Sequence, residues 1–255
     1  MENLGTIMSE LLADLKKKDI NVDWGNLKNI DMDERRKQDE INITKRYKAQ
    51  EKYRMFNSSL VSDIDDLKSV FDDFDTDTPE QEQELLQARN IANEIYKGNT
   101  SNYLFTGKAG RGKTMLAVSI LNGLKSLDTD ITCLFVSAEM LINLERQAVT
   151  DKFNIEKHDV YRIEKCIQKC DVLVLDDLGS ETSFASGKDI QPATRFTQEV
   201  LFRIADYRKN KANIITTNNT GEELLRMYNG KIASRLLTKK RENAIVFDGQ
   251  DMRDI

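Results

Sequence analysis

The stretch "TGKAGRGKTM", Thr106 to Met115, holds three glycines and three basic residues in ten positions, directly after the apolar "YLF". Gly107, Gly112, Lys113 and Thr114 satisfy the spacing G-x-x-x-x-G-K-[ST], which works as a phosphate cradle when a strand precedes it and a helix follows. The glycines let successive backbone N–H groups turn inward at the positive end of that helix, so a phosphate meets several donors and a favourable dipole together. Lys113 would neutralise β- and γ-phosphate oxygens, and the Thr114 hydroxyl would serve Mg²⁺. A glycine turn that merely starts a helix needs neither. The candidate nucleotide contacts are therefore Gly107, Lys108, Ala109, Gly110, Arg111, Gly112, Lys113 and Thr114, with Lys108 and Arg111 at variable loop positions.

Two further groups suit the same chemistry. In "DVLVLDDLG" four apolar residues, Val172 to Leu175, lead into Asp176 and Asp177, at the strand end where open α/β sheets bind ligands. Asp176 is the candidate metal residue beside Thr114, and Asp177 stands where a carboxylate could orient or deprotonate an attacking water. In "NIITTNN", Ile214 and Ile215 run into Thr216, Thr217, Asn218 and Asn219. An amide at such a strand end can hydrogen-bond a γ-phosphate or the lytic water, although Thr and Asn after a strand commonly begin a turn.

These residues need strands and helices to hold them. Apolar runs of strand length, "NYLFTG", "TCLFVS", "DVLVLDD" and "NIITTN", alternate with helical stretches from Lys113 to about Leu127, across 138–169 and from about Thr194. Strands that are apolar on both faces and separated by helices predict a parallel sheet covered on two sides, an α/β nucleotide fold. Before them Leu85, Leu86, Ala88, Ile91, Ala92 and Ile95 have helical spacing, with Gly98 as a C-terminal stop. The polar "GSETSFASGKDIQP", Gly179 to Pro192, reads as a loop.

The N-terminal third is organised by charge. Leu4, Ile7, Met8, Leu11, Leu12 and Leu15 form an apolar stripe at helical spacing. Residues 35–54 carry eight basic and three acidic residues with Tyr47 and Tyr53 among them, whereas residues 62–84 carry ten acids and one lysine. A charge run is commonly a solvated helix face, and a basic one with tyrosines also suits docking or nucleic acid. The expected organisation is a helical docking segment over 1–60, an acidic linker over 61–84 and the nucleotide domain over 85–255.

Composition narrows the class. With 38 Lys+Arg against 43 Asp+Glu in 255 residues, the surface as a whole is not built to neutralise duplex phosphates, so any nucleic-acid contact is local. Cys133, Cys166 and Cys170 with the single His158 offer no disulfide framework and no zinc set, and read as buried thiols in a reducing compartment. Nothing approaches ~18 consecutive apolar residues, and the acids of the first turn precede the basic run, the reverse of a secretory leader. A cytoplasmic protein without membrane contact is the expectation.

Taken together, "YLFTGKAGRGKTMLA", "LVLDDLG", "IITTN" and the later "GKIASRL" stand in the order and spacing of the helicase loaders of the DnaC/DnaI type and the related IstB transposition ATPases. The resemblance covers about Phe71 to the C-terminus. It implies an AAA+ ATPase fold, a P-loop three-layer sandwich with a parallel five-stranded sheet, behind a small helical N-terminal segment. It also implies ATP with Mg²⁺ bound between neighbouring subunits, hence self-association through the ATP sites. Asn218 then resembles the sensor-1 residue, Arg235 of "ASRL" the arginine finger, and Arg253 of "GQDMR" the sensor-2 residue, with Lys231 and Arg241 as rivals for the finger. Family members touch single-stranded DNA through helices placed as Glu139 to Lys157 is here, where Arg146, Lys152 and Lys157 are mixed with acids.

The function so implied is ATP-dependent loading of a hexameric replicative helicase onto single-stranded DNA. A transposition ATPase acting with a transposase shares the motifs and the size. A nonhydrolysing adaptor that uses ATP as an assembly ligand is the third reading, prompted by Asp177 where many related ATPases have Glu. A DnaA-type initiator would add a duplex-reading domain after the sensor-2 position, and the chain stops soon after Arg253.

Overall fold

The computed structural model describes residues 32–127, 129–151, 155–182 and 190–248. The amphipathic stripe of the first 15 residues, Lys152 and Arg253 lie outside them. By contacts the chain divides at Tyr47/Lys48 into two units. Helix α1 (Met32–Asn57) runs through that division, and its residues 34–47 are exposed throughout. The second unit begins with the remainder of α1 and contains everything that follows.

In that unit the sheet has strands β1 (Asn102–Gly107), β2 (Cys133–Ser137), β3 (Val172–Asp176), β4 (Ala212–Thr217) and β5 (Ala244–Phe247). Their order across the sheet is β2-β3-β4-β1-β5 and every pairing is parallel. Alternate side chains of each strand point to opposite faces, and both faces are covered. On one side Tyr103, Phe105, Phe135, Val174, Ile214 and Phe247 pack with helices α2 (Pro79–Tyr96) and α3 (Lys113–Ser126). On the other Leu104, Leu134, Leu173, Leu175 and Ile215 pack with α4 (Ala138–Thr150), α5 (Ile155–Lys169), α6 (Arg195–Tyr207), α7 (Gly221–Met227) and α8 (Gly230–Leu236). This is the parallel sheet covered on two sides that the strand composition predicts, with the five strands and three layers that the resemblance implies.

Local chemistry fixes the helix ends. Thr78 and Gln81 make a reciprocal capping box with Pro79 at the first turn of α2, and Thr220 with Glu223 does the same for α7, satisfying N–H groups that the first turn leaves unpaired. Gly98 follows α2 with φ +91°, the left-handed stop its sequence position suggested.

The expected domain boundaries are corrected by packing. Residues 48–60 belong with the sheet: Met55 and Phe56 are buried, and Leu60 bridges the edge of β2 by donating to Phe135 O and accepting from the N–H of Ser137, both at 2.9 Å. Lys52 donates to the carbonyls of Leu127 and Thr129 at the end of α3. The acidic stretch 61–84 is not a free linker either. Leu67 and Phe74 are buried in the core beneath α3, while the carboxylates between them remain largely in solvent, and Asn122 holds the carbonyls of Leu67 and Ser69. Charge density concealed the apolar residues spaced among the acids. Cys133 and Cys170 are buried and unpaired, and Cys166 is partly buried. Among the described residues no helix is long and apolar enough to cross a membrane.

Candidate functional site

The site lies at the C-terminal ends of β1, β3 and β4. After β1 the loop from Gly107 to Gly112 reaches α3 through three residues at positive φ: Gly107 at 148°, Gly110 at 79° and Gly112 at 80°. Gly112 is the N-cap of α3 and is left-handed, a conformation that costs an L side chain ~1–2 kcal/mol. At Gly107 a Cβ would sit 2.3 Å from the carbonyl oxygen of Phe247, so close packing on β5 also requires glycine. The loop thus leaves the first N–H groups of α3, a helix of 14 residues, without side-chain caps, directed toward a place where an anion is favoured.

Lys113 is 7% exposed. Its ammonium donates to Lys108 O at 2.7 Å and to Asn218 Oδ1 at 2.9 Å. Asn218 in turn donates through Nδ2 to Asp177 Oδ1 at 2.8 Å, so the amide bridges the loop lysine and the second acid. Thr114 donates to Asp176 Oδ1 at 2.8 Å. Burial raises the Asp176 carboxyl above its usual range, while the hydroxyls of Thr216 and Thr114 and the charge of Lys113 pull it down.

Thr216 was not singled out as a site residue from sequence, yet it joins both acids. Its hydroxyl donates to Asp176 Oδ1 at 2.6 Å and accepts from the backbone N–H of Asp177 at 2.8 Å. Asp177 itself has φ 54°, in the left-handed region that Asp tolerates better than most residues. The signal available in the sequence was a pair of threonines closing an otherwise apolar strand, and all six residues of β4 are buried.

The rest of the loop is less uniform than its spacing implies. Lys108 and Ala109 are exposed. Arg111 is anchored: it donates to Phe247 O at 3.0 Å and stands 4.0 Å from the Asp248 carboxylate. Nearby Glu84 of α2 is 5% exposed. Burial raises its carboxyl to about 7, against the hydrogen bond from the Asp248 backbone and the charge of Arg111, with the charges of Asp248 and Glu80 adding to the rise.

Arg235 is not brought to this cluster. It lies on α8, and its carbonyl accepts from Asn102, the first residue of β1, whereas the loop follows the last. Five strand steps at ~3.3 Å place that carbonyl roughly 16 Å from the loop end of β1. The Arg235 guanidinium stacks 4.9 Å from the Phe202 ring centroid and approaches Asp206 at 3.7 Å. Arg146 and Lys157 are exposed on α4 and α5.

One hydroxyl and one carboxylate side by side, with phosphate oxygens to complete the shell, suit Mg²⁺, a hard cation bound through one or two carboxylates plus substrate phosphates. Thr114 and Asp176 fit that requirement by donor chemistry and by their 2.8 Å approach.

The strand order and the glycine loop opening onto α3 define a P-loop α/β fold of the AAA+ type. The chain belongs to the family of IstB-like ATP binding proteins, whose model matches residues 34–240. It is 23% identical over 191 residues to the replicative helicase loader DnaC of Escherichia coli (strain K12), covering 74% of this chain and 71% of that protein. A Pseudomonas aeruginosa protein described as the ATP-binding protein of insertion sequence IS21 is 28% identical over 136 residues, covering 52% of this chain and 43% of its own. Among solved structures, that of the DnaC helicase loader superposes with a TM-score of 0.56 at 21% identity, over 72% of this chain and 99% of the other.

Proposed function

We propose that the protein is an ATPase that loads a hexameric replicative helicase onto single-stranded DNA. The observation that carries the ATPase half is the bridge Lys113–Asn218–Asp177, which puts a phosphate-loop cation, an amide and a carboxylate in one hydrogen-bonded line. The loader half rests on the likeness to DnaC over 74% of the chain, together with the exposed basic helix ahead of the sheet.

In this reading the backbone N–H groups of 107–113 cradle the phosphates and Lys113 steadies the β- and γ-phosphate oxygens. Asp177 holds the proton of the attacking water, and Asn218 orients that water or the γ-phosphate by the hydrogen bonds it can exchange. Mg²⁺ held by Thr114 and Asp176 would neutralise developing phosphate charge. Arg235, remote from its own loop, serves the loop of a neighbouring subunit; Arg253 remains the proposed sensor-2 residue. Single-stranded DNA contact needs only a local basic lining even on an acidic protein, and of the basic residues set among acids over 139–157 Arg146 and Lys157 are exposed.

The experiment is co-purification with a hexameric replicative helicase, using the full chain and a chain lacking residues 1–47. The cut is at 47 because 48–60 pack with the sheet. Capture by the full chain and not by the shortened one is expected; equal capture removes the docking role of the N-terminal segment. The IS21 relative favours a second reading, action with a transposase on target DNA, and failure of every helicase tested with binding to a transposase would select it. No phosphate release above a Lys113→Ala control, with helicase and single-stranded DNA present, would select the nonhydrolysing adaptor.

A further inference from the structure

Behind the two acids a second hydrogen-bonded link leaves the site and ends at α8. The backbone after Asp177 doubles back: Ser180 donates to Asp177 O through both its N–H at 3.2 Å and its hydroxyl at 2.7 Å. Leu178 is tied to β4 on both sides, its N–H donating to Thr216 O and its carbonyl accepting from Thr217. Gly179 has φ +104°, and a Cβ there would meet Asn219 Nδ2 at 2.2 Å. The loop therefore has little freedom to move without shifting what it touches.

What it touches through Glu181 is Tyr228, at the end of α7 and two residues before α8. One Glu181 oxygen accepts from the N–H of Gly179 at 2.9 Å, and the other accepts from the hydroxyl of Tyr228. Tyr228 is 3% exposed and is the C-cap of α7. Its neighbour Asn229 is the N-cap of α8, accepting from the N–H groups of Lys231 and Ile232. Asn229 also donates to Gln198 of α6, and Met227 accepts from the N–H of Ala193 just ahead of that helix. Arg235, seven residues beyond Tyr228, leans on Phe202 and Asp206 of the same α6. Burial raises both the Glu181 carboxyl and the Tyr228 hydroxyl; the hydrogen bond between them adds to the rise at Tyr228 and opposes it at Glu181.

We infer that the Glu181–Tyr228 hydrogen bond is a positioning link: it transmits the placement of the Asp177 loop to α8, and so sets the arginine that this subunit offers to its neighbour. The inference rests on the proposed role of Arg235. Its physical content is that one subunit's nucleotide state is read at the adjacent site through a buried contact, not through the exposed surface. A buried hydrogen bond to a carboxylate is directional and short-ranged, so its loss leaves α8 capped by Asn229 but without this tie to the loop. Tyr228 touches no phosphate, and its removal is felt by the neighbour's turnover, not by nucleotide affinity at its own loop.

Subunit mixing tests this. Arg235→Ala subunits keep an intact loop but offer no finger, whereas Lys113→Ala subunits offer a finger but have no working loop. Each alone is expected to be inactive, and their mixture to recover ATP turnover. Replacing the second partner by Lys113→Ala/Tyr228→Phe is then expected to lower the recovered kcat at least tenfold with the KM for ATP unchanged. Recovery by Lys113→Ala and equal recovery by the double variant overturns the link alone; no recovery by Lys113→Ala overturns the finger role and the link with it. Should Tyr228→Phe lower the thermal midpoint enough to deplete folded protein, Glu181→Ala in the same donor is the second variant. An alanine there offers neither donor an acceptor, and recovery equal to the Lys113→Ala donor again overturns the link. A purely structural role would lower kcat in proportion to unfolded protein in either partner; the link predicts loss only from the donor side.

Discussion

At the scale of single residues, the site works by shared hydrogen bonds. Asn218 accepts from Lys113 and donates to Asp177, so its removal takes a partner from the cation and from the carboxylate together. Asn218→Ala is expected to lower kcat by about 10²–10³, the usual effect of deleting one preorganised donor, with a much smaller change in KM; steady-state phosphate release measures both, and an unchanged kcat removes Asn218 from the chemistry. Glu84 carries a pH dependence. Its carboxyl is raised from 4.5 to about 7 by burial, so between those values the folded chain holds more protons than the unfolded chain and stability declines as pH rises. The contribution is whole below 4.5 and lost above about 7. Thermal midpoints of the native protein and of Glu84→Gln, followed from pH 4.5 to 8, are expected to diverge in favour of Gln as pH rises; parallel curves would show that Glu84 titrates as an ordinary surface acid.

At the scale of elements, the sheet is held at its far end by a buried cation with no role at the loop. Arg208 is 1% exposed and donates to the carbonyls of Ile167, Cys170, Asp171 and Ala212 and to Asn213 Oδ1. Lys211 adds bonds to the carbonyls of Gln168, Lys169 and Cys170. Together they satisfy the last carbonyls of α5, where a helix carries its negative dipole end, and tie it to the starts of β3 and β4. Arg208→Ala leaves several of those buried acceptors without donors and is expected to cost ~3–5 kcal/mol, since each buried group left unsatisfied costs ~1–3 kcal/mol. Urea unfolding measures it, and a loss within ~0.5 kcal/mol, typical of a surface change, would contradict the buried placement. A second tie of this kind is Arg203 of α6, paired with Glu145 of α4 and Glu164 of α5.

At the scale of the whole molecule, the distance between Arg235 and its own loop decides how the site can be completed. An arginine finger contributes ~10³–10⁵ in rate through a planar, permanently charged group, and the residue proposed for that role, Arg235, lies beside the opposite end of β1 from the glycine loop. Turnover per subunit is therefore expected to rise with protein concentration. Arg235→Ala should abolish that rise while ATP binding stays near normal, as read from phosphate release and nucleotide titration at several dilutions. Specific activity independent of dilution, with wild-type turnover in Arg235→Ala, would shift the finger to Lys231 or Arg241.

Local spacing was sufficient for the sequence to determine the phosphate loop, the acidic strand, the stop at Gly98 and the parallel sheet. Each depends on neighbours along the chain: glycines that permit positive φ, a run apolar on both faces, a helix start directly after Gly112. The packing of 48–60 and 61–84 was not legible, because Met55, Phe56, Leu67 and Phe74 are few and stand among charges whose sum dominates any window. Thr216 and the pair Glu181 and Tyr228 were hidden for a different reason. Their partners lie 40 and 47 positions away in the chain, and only the parallel register of β3 with β4 and the return of the chain through α7 bring them within hydrogen-bond range. Residue types announce what chemistry is available; long-range pairing decides which groups share a proton, a cation or a helix end.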